Sequence, residues 1–260
     1  MRNKIQSVLF LLVLLTINSV PAFAAEENGR VSVEDSGTSG IIDPENPQNI
    51  VNPGQGPSTT GALRIDYISS LNFGSEDLNA KDRKFNSLAQ LFLDDTSARG
   101  YYIQVSDFRP DDGWQLQLTQ KNQFHNSIIQ DLSNQELKGA VLSFDNGWAN
   151  TNGAGQTPLV TRDSVSVDAF NTAYTIASAG KNEGKGSWTI AFGASKENKQ
   201  GQKPTLTPLK DAKGNQLINE AYNKPQFKNS AISLTIPKET KIYPVEYSTT
   251  LTWTLLAGPT

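Results

Sequence analysis

From Gly61 onward the apolar residues recur at every second position. Leu63, Ile65 and Tyr67 alternate with polar neighbours, as do Trp114, Leu116 and Leu118 with Gln115, Gln117 and Thr119. Tyr101-Tyr102-Ile103-Gln104-Val105 is aromatic and β-branched. Val141 to Phe144, Ser164 to Val167 and Tyr174-Thr175-Ile176 are shorter runs of the same kind. Trp188, Ile190 and Phe192 share one parity, as do Ile232, Leu234 and Ile236, and the last run alternates through Leu251, Trp253 and Leu255. A period of two places successive side chains on opposite faces of a strand. Between the runs stand turn signals: Asp112-Gly113, Asn146-Gly147, Asn152-Gly153 and Lys213-Gly214-Asn215. The pattern predicts an all-β fold over 61–260, an antiparallel β-sandwich or barrel-like domain with Gly/Asn/Lys-rich loops. Ser127 to Leu137 is the one helical candidate.

The first sixty residues read differently. Arg2 and Lys4 precede an apolar run from Val8 to Leu15, and Ala22-Phe23-Ala24 puts small residues at −3 and −1 of a cleavage site. This predicts a signal peptide over 1–24, cut before Ala25, because the apolar run is well short of the roughly 20 residues a membrane span needs. Residues 25–60 are rich in Glu, Asp, Asn, Pro, Gly, Ser and Thr, with Pro44, Pro47, Pro53 and Pro57 closely spaced. So few apolar residues do not offset the ordering entropy, and a disordered Pro-rich N-terminal arm is expected.

Composition narrows the chemistry. The 260 residues contain no Cys and one His, with 23 basic against 26 acidic side chains. A disulfide framework, a thiol nucleophile and a Cys-ligated metal are excluded, and His125 alone cannot make a two-His site. The near-neutral charge gives no case for nucleic acid. Loss of the signal peptide leaves 21 basic against 26 acidic side chains, unevenly placed: 10 against 20 over 25–180, then 11 Lys against five acids over 181–241. The acidic pairs Glu76-Asp77, Asp94-Asp95 and Asp111-Asp112 are sequential, so on a strand they face opposite ways and do not form a dyad across a cleft. No phosphate loop, dinucleotide fingerprint or nucleophile elbow is present. Neither an enzyme nor a cofactor is expected.

The remaining signals are for binding. Trp114-Gln115-Leu116 and Trp253-Thr254-Leu255 are two Trp-x-Leu triplets. Each sets Trp and Leu on one strand face, either packed in the core or lining a sugar-stacking face. Trp148 sits apart, in Asn146-Gly147-Trp148-Ala149-Asn150 followed by Thr151-Asn152-Gly153. It is either a loop ring folded back over a sheet end or an exposed ring stacking on a sugar, with Asn150 and Asn152 bonding hydroxyls. Lys181, Lys185, Lys196, Lys199 and Lys203 cluster around Gly-rich turns, either as solvated hairpin loops or as cations for carboxylates and phosphates.

These residues resemble the WxL domain proteins of Gram-positive bacterial surfaces. The resemblance runs from Asp43-Pro44-Glu45-Asn46-Pro47 through Gly61-Ala62-Leu63-Arg64-Ile65-Asp66-Tyr67, Leu71-Asn72-Phe73-Gly74 and Gln104-Val105-Ser106-Asp107-Phe108-Arg109. It continues through Gly113-Trp114-Gln115-Leu116 and Leu137-Lys138-Gly139-Ala140 to Leu251-Thr252-Trp253-Thr254-Leu255. An exported chain without Cys suits that surface. The resemblance implies a secreted protein held non-covalently at the cell wall, with peptidoglycan as ligand. It also implies other WxL proteins and membrane-anchored WxL-interacting proteins as partners; adhesion to host matrix is the competing role. Leu256-Ala257-Gly258-Pro259 departs from the family in lacking an acid there, and the same C-terminal residues carry no sorting signal for covalent anchoring.

Overall fold

The computed structural model describes residues 40–75, 83–110 and 113–258, together with the backbone of 22–26. The leader before residue 22, the arm over 27–39, the Glu76-Asp77 pair and the Asp111-Asp112 turn lie outside the described residues.

Among the described residues sixteen strands follow in chain order: β1 (Ala22–Glu26), β2 (Leu63–Ile68), β3 (Lys84–Leu88), β4 (Tyr101–Asp107), β5 (Trp114–Gln120), β6 (Val141–Phe144), β7 (Gly147–Thr151), β8 (Leu159–Val160), β9 (Val165–Val167), β10 (Ala173–Ala179), β11 (Gly186–Phe192), β12 (Leu206–Pro208), β13 (Ile218–Asn219), β14 (Lys224–Pro225), β15 (Phe227–Thr235) and β16 (Leu251–Ala257). All strand pairings are antiparallel. The first sheet has the order β1-β16-β5-β10-β8, the second β2-β4-β11-β7, and the third β12-β15-β6-β9 with β3 also on β15; β13 and β14 form a ribbon.

The three sheets share one core. Trp114, Leu116, Leu118, Trp253 and Leu255 enter it from the first sheet, Ile65, Ile103, Val105, Ile190 and Phe192 from the second, and Leu142, Phe144 and Ile232 from the third. This is the sandwich-like arrangement that the alternation predicted. The segment over Ser127–Leu137 is not an α-helix: only Leu132–Asn134 makes a 3-10 turn, capped by Asp131 accepting from Ser133 N. Polar side chains there bond to nearby backbone and compete with helix formation.

β4 is buried at all seven positions. Its odd positions face the shared core. Tyr102 faces the other way and packs with Tyr67, Phe92, Trp148 and Val51. The layer that covers this outer face is the segment that composition marked as disordered. Ile42, Asp43, Glu45 and Val51 are each 6 % exposed or less. Residues 40–60 are therefore laid onto the fold, a correction to the arm expected over 25–60. The physical reason is polar: Gln104 is fully buried, accepts from Ile42 N at 2.8 Å and donates to Gly40 O at 3.3 Å. Specific hydrogen bonds replace the apolar burial that the composition lacks.

Candidate functional site

The two Trp-x-Leu triplets lie side by side. β16 pairs with β5 so that Leu255 stands opposite Leu116, Trp253 opposite Leu118 and Ala257 opposite Trp114. Directly opposed residues share a face. The leucines meet at the centre, and the indoles flank them at opposite ends, four residues or about 13 Å apart along the strands. All four side chains are fully buried. Core packing is the outcome, and a sugar-stacking face built from these four residues is excluded. Trp253 lies near Tyr101 and Phe144, with ring centroids 6.3 and 6.1 Å away.

The two indoles differ in their N–H groups. Trp114 Nε1 donates to Gly184 O at 3.2 Å. Gly184 has φ +60, and a Cβ there would come within 2.6 Å of Trp114 Nε1, so glycine is needed both for the turn and for the ring beneath it. Trp253 Nε1 has no hydrogen-bond partner among the described residues. Gly113, just before the first triplet, is equally constrained: a Cβ would meet Ala179 O at 2.3 Å.

Trp148 is not a loop residue. It lies in β7 opposite Ala191, is 2 % exposed, and donates from Nε1 to Gly193 O at 3.0 Å. The exposed, sugar-stacking ring is corrected: the arm over Ile41 and Val51 closes on this face. Asn150, on the same side of β7, uses Nδ2 to donate to Pro44 O at 2.9 Å, and so holds the arm. Asn152 follows β7 in an exposed turn.

The arm is fastened by a charge cluster that sequence reasoning missed. Arg99 donates from Nε and Nη2 to the two carboxylate oxygens of Asp43 at 2.8 and 2.9 Å, with both side chains buried. Glu45 accepts from Ser195 N and Oγ, both at 2.7 Å. Burial pushes the Asp43 carboxyl up, but the hydrogen bonds and charge of Arg99 outweigh it and hold Asp43 below the usual carboxylate range. Burial also raises Glu45, and there the Ser195 bonds and Arg99 only partly oppose it. The partners are 56 and 150 residues apart, so no local spacing announces them.

Beside this cluster opens a cavity of about 390 Å³. Leu91, Leu206, Pro225 and Phe227 give it an apolar floor, and Asp95, Lys196 and Glu197 stand on its rim. All three rim residues are exposed. Lys224 is held at the wall by donating to Thr96 O at 2.7 Å and to Asp94 O.

The lysines grouped in sequence are split in space. β11 runs seven residues, about 20 Å, between them. Lys196, at the cavity, and Lys199 follow its C-terminal end in the loop to β12; Lys181 and Lys185 precede its start. Lys185 donates to Arg109 O at 2.8 Å and lies 3.5 Å from the buried Asp107 carboxylate, so it ties the loop before β11 to the residues at the end of β4. The Asn152 turn lies at this same end, because Thr151 pairs with Trp188 and Gly184 N donates to Gln156 O. Among the described residues no His, Cys, Asp and Glu group of three or more is placed to hold a metal ion.

Comparison with curated proteins gave no match, and none was found among solved structures. A family description, "WxL domain surface cell wall-binding", matches residues 23–259. That match covers nearly the whole chain, both paired Trp-x-Leu strands and the folded arm included, and the chain belongs to the WxL family of surface cell wall-binding domains.

Proposed function

We propose that this chain is a secreted, non-catalytic module that holds itself at the Gram-positive surface by binding peptidoglycan, with the cavity beside the arm as the contact. The observation that carries this reading is the pairing of an apolar floor with a rim bearing both signs of charge, at Lys196, Asp95 and Glu197. Peptidoglycan stem peptides offer methyl groups, carboxylates and amines in alternation, which such a rim and floor complement. The paired Trp-x-Leu strands set the geometry of the scaffold and do not touch the ligand. Lys199, Lys181 and Asn152 stand outside the cavity and add weak polyvalent contact with wall polymers.

The test is retention of the processed chain on purified peptidoglycan. Lys196→Glu and Asp95→Lys, both at exposed positions, should together lower retention about tenfold, or about 1.4 kcal/mol, with no soluble fragments released from the wall. Unchanged retention would remove the cavity from the reading. A second reading has its own support: Ile128, Leu132 and Phe170 are large apolar side chains exposed at 75, 79 and 45 %. They suit protein contact with other WxL proteins, membrane-anchored WxL-interacting proteins or host matrix. In that case retention survives digestion of the glycan.

A further inference from the structure

A second cavity adjoins the first, with Leu91 and Phe227 lining both. It measures about 140 Å³. A cavity of about 150 Å³ holds one benzene molecule, so the space suits a single six-membered ring. The chemistry of the two cavities differs. The first carries ions on its rim, whereas none of the residues lining the second is charged. Its polar groups are amides and hydroxyls, brought together from the loops that follow β2 and β3 and from the β13–β14 ribbon and its exit.

The amides are fixed at one end and open at the other. Asn72 Oδ1 accepts from Gly74 N at 2.6 Å, and Asn219 Oδ1 accepts from Tyr222 N at 3.2 Å. A backbone N–H on each oxygen settles which way the amide points. Each Nδ2 is then a donor with no partner among the described residues. Gln226 is held the other way round: Nε2 donates to Ile218 O at 3.3 Å, which leaves Oε1 as an acceptor. Gln90 belongs to the frame, accepting from the Tyr67 hydroxyl at 2.8 Å and donating to Pro53 O at 3.3 Å. The Tyr222 hydroxyl also donates to Pro53 O, at 3.0 Å, which fixes that ring at the wall. Tyr222 and Phe227 are half-buried and add apolar ring surface.

Two fixed N–H donors and a carbonyl acceptor beside aromatic rings complement a ligand with hydroxyls around a ring and C–H groups on its faces. A phosphate or carboxylate would meet no cation in this lining, and an amine no anion, to offset the loss of its hydration. We propose that this cavity is a binding site for one uncharged sugar ring, distinct from the peptide contact assigned to the first cavity. Amino sugars of a wall glycan and hexoses of neutral polysaccharides share this chemistry, and the test separates them.

The processed chain, labelled with nitrogen-15, is titrated with N-acetylglucosamine, galactose and galacturonic acid. The side-chain amide signals of Asn72, Asn219 and Gln226 should move saturably with a neutral sugar, with a Kd in the millimolar range. Galacturonic acid should bind at least about fivefold more weakly than galactose, because its carboxylate has no partner. Asn72→Ala and Asn219→Ala should each weaken binding about fivefold, the worth of one neutral hydrogen bond, with the rest of the spectrum unchanged. Tighter binding of N-acetylglucosamine assigns the site to a wall glycan, and tighter binding of galactose to a neutral polysaccharide. Lys196→Glu with Asp95→Lys should leave the titration unchanged, so failure of the first cavity on peptidoglycan is read separately. Absence of a saturable shift with both neutral sugars would overturn the site, as would shifts that persist in both alanine variants or equal binding of galacturonic acid.

Discussion

The two indoles of the paired triplets offer a comparison in which burial is matched and hydrogen bonding is not. Both rings are fully buried. Replacing either by Phe vacates about 40 Å³, which at about 24 cal/mol per Å³ costs about 1 kcal/mol. The lost apolar area, about 40 Å² at about 25 cal/mol per Å², costs about 1 kcal/mol more. At Trp114 the change also leaves the Gly184 carbonyl without its donor, a further loss of about 1 kcal/mol. At Trp253 it removes a buried N–H that has no partner among the described residues, and burying such a donor itself costs about 1–3 kcal/mol. Trp114→Phe should therefore destabilise by about 3 kcal/mol, and Trp253→Phe by at most about 1 kcal/mol. Urea unfolding followed by circular dichroism, with unchanged m, measures both. Equal losses, or a larger loss at Trp253, would refute the assignment of hydrogen bonding to these two rings.

Trp148→Ala should lower stability by about 3–5 kcal/mol, because the ring is core beneath the arm; a loss of wall binding at an unchanged melting temperature would contradict its burial. Gly184→Ala should cost about 1–3 kcal/mol from the positive φ and the contact with Trp114, read as a fall in melting temperature with no change in fold. Asp43 has its carboxyl pKa lowered by folding, so its stabilisation is present above the unfolded carboxylate pKa and is lost as pH falls through the folded value. Asp43→Asn should be less stable at neutral pH and show a flatter decline below about pH 4, near the unfolded carboxylate pKa, in acid unfolding curves. Glu45 has the opposite sign, being raised: it favours the fold most below its unfolded pKa, and that stabilisation is lost as pH rises through the folded value. Glu45→Gln should remove that fall in stability.

The strands around the shared core were legible because period-2 alternation reports burial on one face, and β5 shows it in pure form, buried and half-buried by turns. The opposed triplets follow the same logic. The arm was hidden because its burial comes from single hydrogen bonds and an ion pair across long separations, which composition does not register. Trp148 was misleading for the same reason. Its strand lies among Gly and Asn residues, and the layer covering it is the arm that the sequence marked as disordered. The lysines near one another along the chain are parted by the length of one strand, a separation that only the strand's existence reveals. β3 and the short strands β8, β12, β13 and β14 have too few alternating residues to be read.

The position of β16 has a consequence for how the chain comes into being. β16, the last of the described strands, lies inside the first sheet, bonded along its length to β5, which is made more than 130 residues earlier. Every polypeptide is synthesised from its N-terminus, so the shared core stays open, with Trp114, Leu116 and Leu118 lacking their neighbours, until the final seven-residue strand is free. Contacts of such separation form slowly. Folding of the shared core is thereby deferred until residue 257 has been made, and a chain that stops short of residue 251 lacks the strand that closes it.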